Sequence, residues 1–199
     1  MQYIQKYDIR FLYHMTDLIN LNSILKHGIL SHNEAHKRGL VGADISNQGV
    51  QDRRSTKLIN RIPLHDYVNF YFQPKNPMLS VKRDVQRSIV FLGAEPTLLL
   101  KPSTVFSDGN AGANPGKTHF WTGTYELDRL PWDIIDAPYW NDVEDGKRIK
   151  CAEILVYPKV EVESILKIFC HPFAQQVTQQ EVFAGGLSIP VESAPQIYF

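Results

Sequence analysis

The stretch Lys150-Cys151-Ala152-Glu153-Ile154-Leu155-Val156-Tyr157 constrains the fold more than any other part of the chain. It is short, apolar and β-branched towards its end, and Pro158 stops it, so it reads as a β-strand. Side chains alternate across a strand, which puts Cys151, Glu153, Leu155 and Tyr157 on one face and Ala152, Ile154 and Val156 on the other. Both faces are apolar, so the strand belongs inside a sheet covered on both sides. Glu153 is the only carboxylate in it. Burying a carboxylate is costly unless a partner or a task holds it there. Two readings follow: a structural acid in an ion pair, or a functional group in a shielded site.

The 199 residues (22.8 kDa) suffice for one core, and no linker, repeat or low-complexity stretch divides them, so residues 1–199 read as a single domain. Lys+Arg and Asp+Glu both number 21, so any nucleic-acid site must be a local basic patch. The two cysteines, Cys151 and Cys170, lie in apolar segments and form no framework, which fits reduced thiols in a cytoplasm. No Cys-x-x-Cys pair and no His-rich cluster suggests zinc, and no metal is expected. Met1–Lys6 lacks an apolar signal core, and Ile89–Leu100 is interrupted by Gly93, Glu95 and Pro96, so no membrane contact is expected.

Ile9–Tyr13 is a short apolar run. Thr16 or Asp17 can cap a helix carrying Leu18, Leu21, Ile24 and Leu25, with Gly28 at its end. His14 then falls at a strand–helix junction, where backbone amides favour a polar ligand. Ser31–Ile62 is polar with weak periodicity and reads as a long irregular segment, with Gln51-Asp52-Arg53-Arg54, Lys57 and Arg61 in it. Leu64–Phe72 reads as a strand with Val68, Phe70 and Phe72 on a core face and Tyr67, Asn69 and Tyr71 on a face with polar tips. Ser88–Leu92 and Thr97–Leu100 read as strands, residues 107–116 and 140–150 as loops, Val160–Leu166 as a short helix, and Lys167–Cys170 as a strand. The tail after Pro172 reads as a helix and a last strand.

GxxxxGK[ST], GxGxxG, GxSxG and HExxH are all absent, which disfavours a P-loop, a Rossmann fold, a nucleophile-elbow hydrolase and a zincin. His14, Arg54, Tyr71, His119 and Glu153 remain, scattered along a β-rich chain with no diagnostic spacing. Several segments in order do carry a resemblance: Tyr13-His14-Met15-Thr16 with Asn20-Leu21, Gln51-Asp52-Arg53-Arg54, His65–Phe72 with Pro77-Met78-Leu79, Ser107–Ala111, and Ala152–Val156. Together they resemble the DarT family of bacterial DNA ADP-ribosyltransferase toxins.

The resemblance implies an ADP-ribosyltransferase α/β (α+β) fold, a split β-sandwich core with flanking helices. It implies NAD+ as co-substrate, with His14, Thr16, Asn20, Arg54, Tyr71 and Met78 holding it, and Glu153 and Arg54 as catalytic residues. It implies single-stranded DNA as partner, contacted by Lys75, His119, Lys147, Arg148 and Lys150. The acceptor would be thymidine or guanosine, nicotinamide would be released, and a macrodomain antitoxin (an ADP-ribosylglycohydrolase) would oppose the toxin in a cytoplasm. Glu153→Ala is expected to abolish transfer and leave the fold intact. Two other readings stay open: the same fold acting on RNA or protein, and a non-catalytic module that binds nucleic acid or NAD+.

Overall fold

The computed structural model describes all 199 residues. Its strands are β1 Leu12–Asp17, β2 Ile29–Leu30, β3 Leu58–Ile59, β4 Ile62–Pro63, β5 Val68–Tyr71, β6 Ile89–Ala94, β7 Val105–Ser107, β8 Phe120–Trp121, β9 Glu153–Val156, β10 Lys159–Val160, β11 Ile165–Cys170 and β12 Val191–Ser193. The α-helices are α1 Gln2–Lys6, α2 Leu21–His27, α3 His32–Lys37, α4 Gln48–Ser55, α5 Pro77–Ser80, α6 Trp132–Ile135, α7 Gly146–Ile149 and α8 Gln175–Ala184.

Eight strands make one sheet in the order β12-β11-β6-β1-β5-β9-β7-β8, antiparallel except for the β11–β12 pair. β9 sits between β5 and β7, and all four of its residues are buried. Ala152, Ile154 and Val156 enter the main core, which also holds Val68, Phe70 and Phe72. Leu155 enters a smaller cluster with Ile59, Leu64, Tyr67 and Val105 on the other face. The alternation read from the sequence is therefore the alternation in the sheet.

The sheet is nearly divided in its middle. β1 pairs with β6 along its whole length, from Leu12↔Ala94 to Asp17↔Ile89, but meets β5 only at Tyr13↔Tyr71. Past that pair the strands part, and the His14 side chain spans the gap, with Nδ1 2.9 Å from the Asn69 carbonyl oxygen. This opening is the split that the resemblance implies, within a sheet continuous through one residue pair.

Some expectations from sequence require correction. His14 lies inside β1, because β6 supplies a partner for every residue up to Asp17; Asp17 caps a 3-10 turn, Leu18–Asn20, that leads into α2, accepting from Ile19 N at 3.0 Å. Gly28 does end α2, with φ +78°, and a Cβ there would sit 2.4 Å from the Val160 carbonyl oxygen. The polar segment after Ser31 is not irregular throughout: Ser31 and Asn47 cap α3 and α4 through Glu34 N and Val50 N. Those helices expose most of their surface, so no apolar stripe marks them in the sequence. Pro96–Leu100 is a 3-10 helix and not a strand, since Pro96 fixes a turn-like φ at its first position. Val160–Leu166 divides into β10, a 3-10 turn at Val162–Ser164 and the start of β11, and the 140–150 loop ends in α7.

Candidate active site

The main cleft opens where β1 and β5 part. β1 contributes His14 and Thr16, β5 contributes Asn69 and Tyr71, α4 contributes Arg54, and Met78 comes from α5. Asn20, just before α2, also lines it, so all six residues that the resemblance assigned to NAD+ face one cavity.

Their states differ. The Asn69 carbonyl only accepts, so His14 Nδ1 carries the hydrogen and Nε2 is left as an acceptor. Burial lowers the His14 pKa, which keeps the ring neutral near pH 7. Tyr71 is buried beside Glu153 in the β5–β9 ladder, and burial and then that charge raise its pKa well above the usual value. It stays a phenol. Asn20 spends its whole amide on structure: Nδ2 donates to Thr16 Oγ1 (3.1 Å) and Ala43 O (2.8 Å), and Oδ1 accepts from Gly42 N and Ala43 N. Its role here is to hold the 42–43 loop along the cleft, and contact with a ribose or phosphate would need these bonds to open.

Glu153 has no exposed surface. Arg54 Nη1 donates to Oε1 at 3.1 Å and to Oε2 at 3.0 Å, and Ala111 N donates to Oε1 at 2.8 Å. Arg54 lines the cleft and Glu153 lies directly behind it, so the carboxylate meets the cavity through the guanidinium. The structural and functional readings of Glu153 thus meet in one ion pair.

A second layer holds this pair, and sequence reasoning did not assign it. Lys57 Nζ donates to the carbonyls of Ala111 (2.8 Å) and Ala113, and Arg53 Nε donates to Gly112 O at 2.8 Å. α4 and the turn after it therefore grip the 111–113 backbone that presents the Ala111 N–H to Glu153. Gly112 is required by contact, since a Cβ there would lie 2.9 Å from Arg54 Cγ. Ser107 Oγ accepts from Glu153 N at 3.2 Å and steadies the strand start. The spacing Arg53-Arg54-x-x-Lys57 was the available signal, but nothing in it names the carbonyls it grips.

The five residues assigned to DNA do not form one basic patch. Lys150 is a correction: it is 4% exposed, and Nζ donates to Ile135 O and Ala137 O, both at 2.6 Å. Its burial closes off the end of α6 and removes it from contact with phosphate. Arg148 is also committed, to Asp108 (2.9 Å) and Asp145 (2.5 Å). His119 is 69% exposed on its side chain and pairs with the same Asp108 at 3.0 Å. Lys147 is exposed, and Lys75 lies over the Phe199 ring at 5.0 Å.

A sequence profile of the DarT family, described as ssDNA thymidine ADP-ribosyltransferase, matches residues 13–199. A DNA ADP-ribosyl transferase of Thermus sp. (strain 2.9) is 34% identical over 164 residues, covering 73% of this chain and 74% of that protein. A DNA ADP-ribosyl transferase–DNA ADP-ribosyl glycohydrolase fusion protein of Thermosipho africanus is 28% identical over 196 residues, covering 96% of this chain. The chain spans 50% of that fusion's length. Thermus sp. 2.9 DarT in complex with ADP-ribosylated ssDNA superposes with a TM-score of 0.86 at 26% identity, over 96% of this chain and 97% of that one. The same protein in complex with NAD+ superposes with a TM-score of 0.81 at 25% identity, over 96% and 98% of the two chains. With the profile covering nearly the whole sequence and the fold shared along both chains, this chain belongs to the DarT family.

Proposed function

We propose that this chain transfers ADP-ribose from NAD+ to a base in single-stranded DNA and releases nicotinamide. The observation that carries the reading is the buried Arg54–Glu153 pair at the floor of a cleft whose walls hold His14, Thr16, Tyr71 and Met78. The relatives named above, with their NAD+ and ADP-ribosylated ssDNA complexes, support it.

Breaking the nicotinamide–ribose bond develops positive charge on the ribose. A preorganised carboxylate stabilises that charge where water is excluded. Glu153 supplies it, and three hydrogen bonds from Arg54 Nη1 and Ala111 N fix it in place before substrate arrives. Tyr71, a neutral aromatic beside Glu153, offers a face for the nicotinamide ring. Glu153 then accepts the proton that the base gives up as its nitrogen attacks, and Arg54 stabilises charge on the base or the diphosphate. For this Arg54 must turn part of its guanidinium from Glu153 towards the substrate. The bond exchanged is glycosidic and the diphosphate stays intact, so the reaction is pentosyl transfer and not nucleotidyl transfer.

Thymidine is the preferred acceptor in this reading, following the family description. The fused glycohydrolase in the Thermosipho relative supports a toxin role opposed by an enzyme that removes the modification. The test is incubation with NAD+ and oligonucleotides that each contain a single candidate base, read by mass spectrometry. Addition of one ADP-ribosyl group to the thymidine oligonucleotide supports the reading. Addition only to guanosine corrects the base, and addition only to RNA or protein overturns the DNA assignment.

A further inference from the structure

We infer that His32, His36 and Asp44 form a binding site for a divalent transition metal, Zn2+ by its donor set, in the wall of the cleft. The expectation of no metal rested on the lack of a Cys-x-x-Cys pair or a His-rich cluster in the sequence, but folding brings two imidazoles and a carboxylate together here.

His32 and His36 stand four residues apart on α3 and so share one face of the helix, with ring centroids 4.2 Å apart. Asp44 comes from the loop beyond α3, and its Oδ2 lies 3.8 Å from His36 Nε2. Its other oxygen, Oδ1, accepts from Ser46 N at 2.8 Å, which orients the carboxylate and leaves Oδ2 for the histidines. One potential ligand atom from each of the three residues lies within 4.8 Å of the others. Tetrahedral zinc with bonds of about 2.0–2.1 Å needs these atoms roughly 3.4 Å apart. The remaining closure is at most about 1.4 Å, within reach of side-chain rotations at His36 and Asp44, both of which are exposed.

The surroundings favour ligation over a plain ion pair. The His65 ring packs at a tilt against His32 with centroids 4.3 Å apart, and His65 Nε2 is buried without a hydrogen-bond partner. His65 lies outside the donor triad and walls the His32 side of it. Imidazole with carboxylate suits zinc, and three protein donors leave a fourth position for water.

Bound metal would tie α3 to the 42–46 loop, the loop that Asn20 also holds, and so fix one wall of the cleft. Both cysteines are buried and offer no competing surface thiol.

The test is a titration of the metal-free chain with Co2+, followed by visible d–d absorption and then by displacement with Zn2+. One Co2+ per chain with tetrahedral bands, displaced mole for mole by Zn2+, is expected. His36→Ala and Asp44→Asn change exposed side chains and should each weaken binding about tenfold or more. His171→Ala, outside the cluster, should bind like the wild type. Zn2+ should also raise the thermal midpoint of the wild type in a concentration-dependent way, but not that of His36→Ala. Absence of saturable one-to-one uptake, wild-type affinity in both cluster variants, or equal loss in His171→Ala would overturn the site. None of these readouts depends on the transferase reading.

Discussion

Glu153 carries a charge with no exposed surface, a combination that costs several kcal/mol unless the charge is paired. Arg54 and the Ala111 N–H supply that pairing, so removing the carboxylate does two things at once. Glu153→Ala leaves Arg54 buried and unpaired and should destabilise the fold by about 3–5 kcal/mol. The expectation from sequence that the fold tolerates alanine takes no account of the buried Arg54 partner, and the two outcomes are separated by the thermal midpoint of Glu153→Ala. Glu153→Gln is the cleaner variant, because an amide oxygen still accepts from Arg54 and Ala111. It keeps one of the two oxygens that Arg54 meets, so it should lose less stability than Glu153→Ala, and it should lose on the order of 10²–10³ in transfer rate. Near-wild-type turnover in a folded Glu153→Gln variant would remove the charge from the mechanism.

At the scale of elements, α7 and the 108–119 segment act as one unit. Arg148 Nη1 donates to Asp108, and Arg148 O accepts from Asn110 N at 2.9 Å, immediately before the Ala111 that holds Glu153. Lys147, one residue away, is exposed. The two neighbouring cations should therefore behave differently. Lys147→Ala should weaken oligonucleotide binding and reduce its single-strand salt slope by about 0.7, with turnover at saturating DNA unchanged. Arg148→Ala should instead lower turnover, because it loosens the segment behind Glu153, and should leave the salt slope unaltered. Salt titrations together with kcat measurements decide this. Equal slope losses in both variants would show that Arg148 leaves its carboxylates to meet the strand.

For the molecule as a whole, Lys150 shows how the fold responds to pH. Burial pushes its pKa down from 10.5 to about 8. Between those values the unfolded chain binds the extra proton and the folded chain does not. Stability therefore rises with pH across that window and is lowest, for this group, below about pH 8. The expected gain is on the order of 1–3 kcal/mol, and the neutral amine still donates to Ile135 O and Ala137 O. Urea unfolding at pH 7.5 and at pH 10, compared with Lys150→Met as the baseline for all other groups, measures it. A difference between the two proteins that does not change with pH would show that Lys150 is charged throughout.

The sequence by itself determined the central strand, its two apolar faces and the isolated acid within it, since period-two alternation is local and survives any topology. The Gly28 stop and the core face of β5 were legible for the same reason. So were the six cleft residues, through segments whose order matched a family. The pairing partners were not legible. That Arg54 meets Glu153, 99 positions away, depends on β9 lying between β5 and β7 and on α4 bringing Arg54 to the cleft in front of it. The burial of Lys150 and the grip of Lys57 on two carbonyls are likewise tertiary facts, because a charged residue in a polar stretch looks solvated until the fold closes over it. The His32–His36 spacing was visible in the chain, yet it acquires meaning only when the following loop brings Asp44 alongside, because a helix face can offer two ligands but long-range folding must supply the third.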